Sequence, residues 1–534
     1  MGIGKAAFII MIGNIVSRLL GLVREQVIAG YFGGGANTDA FTAAGRVPMT
    51  IYDLLVGGMI SAALIPVFSE YVGEDEEAGW RLFSAILSAM ALVLCVVALV
   101  LGVLSGHVIA AIAGEYDRST QGVAAQLLRL MVPALVFMGL SGVMTAFLYA
   151  RRSFVFPAFA TAAYNLGVIL GAVLLTHYLG IVSLVVGTLL GALAQALLQL
   201  PGLGLRRGRM LPRPRLRHEA LPRLMRLYVP VMAGLVVSAV GVMIDTRLAS
   251  QTGEGNLAAM RFATTLIQFP LGLVAAAVSL AVLPSLSAHA SAAVRTGETE
   301  VGGGEASQRQ REARRLFNLT LSRGIRLVAL GIFPAAAGLI LLRTDIIALL
   351  FQRGAFVRED TLRTSTAFLF YSPGIIAAAL DQLFIFAFYA RKNTITPVIV
   401  GLAGVGVYMV VALSLVDRLG MPALAMANSV QWVAHAVIMF VLLWRSMGRV
   451  GDATVVATIV KAGAASLTMV AAIFALLTAL GPSWGASGVG LVVRVGGMGA
   501  VGLAVYVGVL WLLRTEEVND LMLQARRRLA ALPG

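Results

Sequence analysis

Apolar residues run along this chain in long stretches separated by short polar turns. Fourteen stretches are close to the ~20 residues a bilayer-crossing helix needs. They cover residues 6–30, 40–71, 81–104, 121–150, 154–177, 180–201, 226–251, 257–288, 315–342, 362–390, 394–416, 420–444, 455–480 and 487–513, numbered here as spans 1 to 14. Spans 2, 4, 8 and 10 are longer than a bilayer requires, which implies tilt or extension beyond it. The runs are continuous, whereas a membrane β-barrel would show alternating segments of ~10 residues. The pattern predicts an all-α polytopic membrane protein. Several spans carry internal Pro or Gly, among them Pro48, Gly57-Gly58, Pro133, Pro270 and Pro373. Such kinks are tolerated where neighbours or water satisfy the freed carbonyl.

The chain also repeats itself. Pro-x15-Tyr-Ala-Arg-(Arg/Lys)-x4-Pro occurs at Pro133, Tyr149-Ala150-Arg151-Arg152 and Pro157, and again 240 residues on at Pro373, Tyr389-Ala390-Arg391-Lys392 and Pro397. A second echo pairs Ser61-Ala62-Ala63-Leu64-Ile65-Pro66-Val67-Phe68-Ser69 with Ser279-Leu280-Ala281-Val282-Leu283-Pro284-Ser285-Leu286-Ser287. The long motif follows spans 4 and 10, six spans apart, so its two copies share one orientation. This predicts a parallel repeat of spans 1–6 and 7–12 about the membrane normal, with spans 13 and 14 outside it. The expected domains are a six-helix bundle at 1–201, a basic amphipathic linker at 202–225, a second bundle at 226–446, and a helix pair with a basic tail at 447–534.

Composition agrees. The 534 residues are 59% hydrophobic and 13% charged, and mean hydropathy is +0.89. Soluble domains have roughly 45–50% apolar and about 25% charged residues. A net charge of +15 could suggest nucleic acid, but the basic residues lie in loops between apolar spans. Arg206, Arg207, Arg209, Arg213, Arg215, Arg217 and Arg223 fall on the same side of the count as Arg151-Arg152, Arg295, Arg309, Arg311, Arg314, Arg315, Arg391-Lys392, Arg445 and Arg526–Arg528. The positive-inside rule makes that side cytoplasmic, with both termini. Against it stand the acidic turn Glu74-Asp75-Glu76-Glu77 and four arginines in the external segment 343–363. The basic loop 202–225 reads as a surface helix on anionic lipid, and 289–314 as a mobile linker. Cys95 is alone, so neither a disulfide nor a cysteine metal cluster can form, and the five histidines lack ligand spacing. A cleavable signal is not expected, because Met1–Lys5 is barely basic and the apolar run continues through Arg18.

A charge inside a spanning helix is costly and marks a functional position by default. Span 1 carries Arg18, Arg24 and Glu25. Six residues turn a helix through about 600°, so the two arginines lie roughly 120° apart. The guanidinium fork suits paired phosphate oxygens, which points to an anionic headgroup such as a pyrophosphate. The alternative is an internal Arg–Glu pair with snorkelling to the interface. Asp39 either caps its own helix or contacts the ligand. Arg46 can join the arginine cluster, with Asp53 on the same face to neutralise it. Asp245 in span 7 and Asp381 in span 10 are the candidate carboxylates for a coupling cation, Na⁺ or H⁺; the alternative pairs Asp245 with Arg261 of span 8. No catalytic set, metal cluster, phosphate-cradling loop or resident cofactor is read in the chain.

These residues are similar to the MurJ (MviN) family, lipid II flippases of the multidrug/oligosaccharidyl-lipid/polysaccharide exporter superfamily. The matches run in family order: Ser17-Arg18-Leu19-Leu20-Gly21-Leu22-Val23-Arg24-Glu25; Gly33 to Thr38-Asp39-Ala40-Phe41; Pro66; Pro157-Ala158-Phe159-Ala160 with Asn165; Phe269-Pro270-Leu271-Gly272; Leu283-Pro284-Ser285-Leu286-Ser287; Leu350-Phe351-Gln352-Arg353-Gly354-Ala355-Phe356; and Phe388-Tyr389-Ala390-Arg391 to Thr396-Pro397. They cover roughly residues 1–450. The resemblance implies two six-helix bundles forming a V around a central cavity, and an additional helix pair flanking a groove for a polyprenyl tail. It implies undecaprenyl-pyrophosphate-linked disaccharide-pentapeptide, lipid II, as substrate, moved from the inner to the outer leaflet by alternating access. It carries binding roles onto Arg18, Arg24 and Asp39. Two departures stand out. Tyr52-Asp53 occupies the place of a common arginine pair in span 2. Ala263-Thr264-Thr265-Leu266-Ile267-Gln268-Phe269-Pro270 replaces the family's Ala-Asp-Arg-Leu-x-Glu-Phe-Pro. Arg46 and Arg261 are the expected substitutes, with Gln268 at the family's glutamate position.

The leading expectation is therefore a lipid II flippase, without enzymatic activity, in the bacterial cytoplasmic membrane. Its expected partners are lipid II, anionic lipids and peptidoglycan-synthesis proteins. The nearest alternatives are a flippase for another polyprenyl-linked oligosaccharide and a cation-coupled multidrug exporter of the same superfamily. A membrane glycosyltransferase would need an acid or base on a sizeable external loop, and the outward loops are mostly short. A degenerate scaffold for wall-synthesis proteins is the remaining alternative, suggested by the altered span 8 motif.

Overall fold

A computed structural model describes residues 3–204, 219–298, 304–448, 453–481, 484–485 and 488–517, and every regular element among them is helical. Helix α1 (Ile3–Phe32) stops at Gly33, whose φ of 67° favours glycine. Span 2 is broken into α2 (Ala36–Tyr52), two π-helical turns at Asp53–Gly57 and Ile60–Leu64, and α3 (Ile65–Glu74). Next come α4 (Glu76–Val103), a short α5 (Ser105–Ala113), α6 (Arg118–Met131) and α7 (Pro133–Ala150). Helices α8 (Val155–Leu179), α9 (Val182–Leu197), the single turn α10 (Leu200–Leu203) and α11 (Ala220–Gln251) lead to span 8. Span 8 is α12 (Asn256–Pro270), a π-helical turn at Leu271–Ala275 and α13 (Ala276–Glu298). The chain continues with α14 (Gly304–Leu341), α15 (Arg343–Phe351), α16 (Arg358–Tyr371), α17 (Pro373–Ala390), α18 (Ile395–Leu419), α19 (Met421–Met447), α20 (Ala453–Leu480) and α21 (Gly488–Leu512).

Among the described residues, twelve helices are long and apolar enough to cross a membrane. Spans 1 and 2 are also helical, but they are the two that carry Arg18, Arg24 and Glu25, and Asp39, Arg46 and Asp53. The π-turns at 53–57 and 271–275 are 218 residues apart, the same spacing as Pro66 and Pro284, so the duplication extends to the bends. In the first copy the Gly58 N–H reaches back to Asp53 O, and the Tyr228 hydroxyl of α11 donates to Leu54 O. A surplus residue in the helix thus hands one carbonyl to a neighbouring helix. Spans 4 and 10 break at Pro133 and Pro373, because proline cannot supply the N–H that continues the ladder.

The two basic turns of the long motif are the same structure. Arg152 and Lys392 have φ of 59° and 58°. Arg152 N–H bonds Tyr149 O and Ser153 N–H bonds Leu148 O; Lys392 and Asn393 repeat this with Tyr389 and Phe388. This is a Schellman cap, in which glycine usually takes the left-handed position. A basic residue there accepts a conformational cost on the order of 1 kcal/mol and places a cation at the negative end of the helix dipole.

By packing, the described chain divides into two compact units, Met1–Phe262 with Phe351–Arg363, and Ala263–Leu350 with Thr364–Gly534. Packing and duplication are different divisions: α11 opens the second repeat but packs on α2, α5 and the π-turns of the first unit. Phe68, Phe83 and Phe147 form the aromatic centre of the first unit, with Phe83 stacked on Phe147 at 4.4 Å and Arg151 over Trp80 at 5.2 Å. Helices α8 and α9 meet through glycine: a Cβ on Gly167 would stand 2.3 Å from the Gly191 Cα, and one on Gly171 2.3 Å from the Gly187 Cα. Without side chains in the way, backbone packs on backbone. In the second unit α20 and α21 pack on α14 through Met469, Ile473, Met498 and Tyr506. Ion pairs Arg326–Glu517 (2.7 Å) and Arg494–Asp345 (2.9 Å) secure that junction near its two ends.

The linker expected at 289–314 is largely helix, since α13 runs to Glu298 and α14 starts at Gly304. Its Ala, Glu, Gln and Arg are strong helix formers, so polarity alone was a poor guide. Most of the basic loop, Arg206 to Arg217, and Arg526–Arg528 lie outside the described residues. Arg223 lies on α11 and pairs with Glu70 at 2.8 Å.

Candidate functional site

Helix α1 lies against α8 along a small-residue face. A Cβ on Gly13 would fall 2.3 Å from Ala158 O, and Gly21 sits beside Asn165. That close approach lets Arg24 reach across, donating from Nη1 to Asn165 Oδ1 at 3.0 Å, while Asn165 Nδ2 donates to Ser17 O at 3.1 Å. Arg24 also donates from Nε (3.1 Å) and Nη2 (2.6 Å) to Glu25 Oε1. The same Glu25 oxygen accepts from Arg261 Nη2 of α12 at 2.9 Å. Arg261 Nη1 donates to Thr42 Oγ1 at 3.1 Å, and its guanidinium lies 5.3 Å from the centre of the Phe41 ring.

Two guanidiniums therefore share one carboxylate and leave the cluster with a net charge of +1. Glu25 is 1% exposed, whereas the arginine side chains are 26% and 19% exposed. Glu25 Oε2 is buried and has no hydrogen-bond partner among the described residues. Three of the five N–H groups of Arg24 are engaged, so two remain for a ligand. Glu25 works as an anchor that aims both forks. The internal Arg–Glu pair does form, and it includes a third partner from a distant helix. Arg18 is exposed on the same helix.

Asp39, Thr42 and Arg46 follow one another along one face of α2 at helical spacing. Asp39 is fully buried. It does not cap its own helix, which begins three residues earlier with Gly35 as the N-cap. Its carboxylate instead accepts from Gly255 N–H (2.6 Å), Ala258 N–H (2.7 Å) and the Tyr116 hydroxyl (3.1 Å), so it caps the amino end of α12. Next comes Thr42, which receives Arg261. Arg46 then donates to Asp245 Oδ2 (2.9 Å) and Thr246 Oγ1 (2.7 Å) of α11. Arg46 thus pairs with Asp245 and Glu25 with Arg261, where the sequence had offered an Asp245–Arg261 pair as one alternative. Arg46 makes its ion pair with Asp245 of α11, in the role the sequence had offered to Asp53.

The segment 351–363 belongs to this unit. Ala355 N–H bonds Gly30 O at 2.8 Å, and Asp360 accepts from Gly34 N–H (3.3 Å) and Val357 N–H (3.1 Å). Gly354 has φ 59° and no room for a Cβ against Gly30 O, which explains the Arg353-Gly354-Ala355 run. Gln268 is exposed and belongs to the second unit, as does Asp381, which meets His435 at 2.7 Å. Sequence reading missed Tyr116, Thr42, Phe41, Asp360 and His435 as partners. Thr42, Phe41 and Asp360 are polar or aromatic residues on buried helical faces, whereas Tyr116 lies in the bend between α5 and α6 and His435 is partly exposed on α19.

A family model described as "lipid II flippase MurJ" matches residues 28–491. The probable lipid II flippase MurJ of Vibrio cholerae serotype O1 is 30% identical over 412 residues, covering 74% of each chain. The lipid II flippase MurJ of Burkholderia cenocepacia is 28% identical over 448 residues, covering 80% of this chain and 81% of that one. Among solved structures, a lipid II flippase MurJ in an inward closed conformation superposes with a TM-score of 0.79 at 22% identity, over 96% of this chain and all of that one. An inward-facing multidrug resistance MATE family transporter of the MOP superfamily has a TM-score of 0.65 at 13% identity, over 81% of this chain and 94% of that one. The structural likenesses concern the fold.

Proposed function

Because the chain belongs to the lipid II flippase MurJ family, we propose that it carries lipid II from the inner to the outer leaflet of the bacterial cytoplasmic membrane. The observation that carries the reading is the Arg24–Glu25–Arg261 cluster, a net positive site set in apolar helices. A pyrophosphate offers oxygens in pairs, and two guanidinium forks answer them in the same geometry. Arg24 and Arg261 hold the pyrophosphate, and Arg18 supplies further positive charge along the same helix. Asp39 keeps α12 in place so that Arg261 meets Glu25; Arg46 and Asp245 do the same for α11. No bond of the substrate is made or broken, so the chemistry required is binding, desolvation and release. The basic Schellman turns belong on the cytoplasmic side with both termini, as the positive-inside rule places them. There they also meet anionic lipid headgroups.

The test is complementation of a flippase-depleted bacterium, read out as accessibility of lipid II on the outer leaflet. The expected result is restored growth and accessibility with the native chain, and neither with Arg24→Ala or Arg261→Ala at normal membrane levels. Failure of the native chain at normal levels refutes the substrate. Full activity of both variants refutes the site.

A further inference from the structure

The second unit holds a partly buried titratable pair that the arginine site does not use. Asp381 sits at the middle of α17 and His435 at the middle of α19, with His435 Nδ1 2.7 Å from Asp381 Oδ1 and the two side chains 13% and 12% exposed. The imidazole therefore faces a carboxylate oxygen through Nδ1. Which of the two donates depends on where the protons sit, and the pair can hold one proton more than neutral imidazole with carboxylate, as imidazolium with carboxylate or as neutral imidazole with carboxylic acid. In either form the pair is neutral; when that proton leaves, a net negative charge remains in mid-membrane, where it is costly.

The duplication gives an internal comparison. Moving back 240 residues, the offset of the long motif, Asp381 corresponds to Ser141, His435 to Gln195 and Pro397 to Pro157. The first unit has there a neutral network in which Gln199 donates to Ser141 Oγ and Gln195 O. One position in the architecture is thus polar in both copies and titratable in one. The neighbouring helices bring few other charges. Helix α18 carries Tyr408 and, at its far end, Asp417 and Arg418; α19 carries Arg445 in its last turn. Helix α13 carries His289 and, near its far end, Arg295 and Glu298; α14 carries Glu305, Arg309, Arg311, Glu312, Arg314, Arg315, the exposed Arg323 and Arg326, which is bound to Glu517. Among the described residues, Asp381 is the ion-pair partner of His435.

We propose that Asp381 and His435 form a proton-carrying site that couples lipid II movement to the transmembrane proton gradient. The inference rests on the flippase reading for its cargo but not for its chemistry. One proton joins the pair from one aqueous phase and leaves to the other, and the pair alternates between charge 0 and −1. Differential affinity of two conformations for that proton is what biases the cycle. Asp245, held by Arg46 in the first unit, takes no part.

The test has two arms on the full-length protein. In the first, histidine-labelled protein in detergent is titrated by NMR, with the His435 resonance identified from His435→Gln. The His435 resonance should titrate, and Asp381→Asn should move its midpoint. A resonance that does not titrate, or is indifferent to Asp381→Asn, overturns the proposal, whatever the cargo. In the second arm, proteoliposomes holding lipid II receive a pH gradient at zero membrane potential. An acidic receiving side should raise flipping several-fold in the native chain. Asp381→Ser/His435→Gln, which copies the first unit, should fold, flip at the basal rate and lose that response, while a Na⁺ gradient should leave both proteins unchanged. Retention of the pH response by the double variant, or a native response to Na⁺ alone, overturns the proposal. No flipping under any gradient refutes the cargo and leaves the titration to decide the site. If the double variant is unstable, His435→Gln alone serves in its place.

Discussion

Substituting Asp39 separates a structural carboxylate from a substrate contact. In Asp39→Asn one side-chain oxygen remains and the other becomes an NH₂ group. If the oxygen stays at the Oδ2 position, it keeps Gly255 N–H and Tyr116, and the new amide faces the Ala258 N–H, which had bonded Oδ1 at 2.7 Å. A charge-assisted hydrogen bond of roughly 1.5–3 kcal/mol is lost and a buried donor is left without an acceptor. Removing the negative charge from the amino end of α12 costs roughly another 0.3–2 kcal/mol. The sum is about 2–5 kcal/mol, and Asp39→Ala should cost more. The measurement is thermal unfolding in detergent alongside lipid II binding by the protein that remains folded. We expect a lower midpoint and near-native affinity per folded molecule. An unchanged midpoint with lost binding would refute the capping argument and make Asp39 a ligand contact.

The arginine site makes a further prediction. Arg24→Lys and Arg261→Lys should recover little of the activity lost in the alanine variants, because an ammonium cannot reproduce the fork; near-native flux in either lysine variant counts against bidentate binding. The Arg46–Asp245 pair is partly exposed, at 25% and 23%, so a double-mutant cycle on unfolding should give a coupling of only about 1 kcal/mol. A cation-coupling role for Asp245 would instead leave unfolding alone and change ion dependence. Gly191→Ala puts a Cβ 2.4 Å from Tyr164 O and should destabilise the α8–α9 contact by about 1–3 kcal/mol, whereas Gly406→Ala, with open space around it, should be silent in the same expression and melting assay.

The spans were legible because a bilayer imposes one length and one composition on every crossing helix. The short α5 and α15 were not, since nine residues cannot cross a bilayer and their apolar character merges with the neighbouring runs. The bends at 53–57 and 271–275 were signalled only by glycine and proline nearby; the Pro133 and Pro373 breaks were marked by the motif itself. The arginines were legible as charges in apolar context. Their partners were not: Arg24 meets Asn165, Glu25 meets Arg261 and Asp381 meets His435 across sequence separations that no helical period encodes. Asp39 shows the limit most plainly, since its cap donors lie 216 and 219 residues away.

That separation also has a temporal side. Glu25 and Arg261 are 236 residues apart, and Arg24 and Asn165 are 141 apart. At ~5–20 residues per second, a ribosome takes on the order of ten to fifty seconds after finishing Glu25 to deliver Arg261. Throughout that interval span 1 holds charged side chains that each oppose insertion by roughly 2.5–3.5 kcal/mol at a helix centre. The nascent first helix therefore cannot settle by lipid partitioning alone. The arginine site is complete only after α8 and then α12 have been made, so its assembly ends only when the second repeat has begun to emerge.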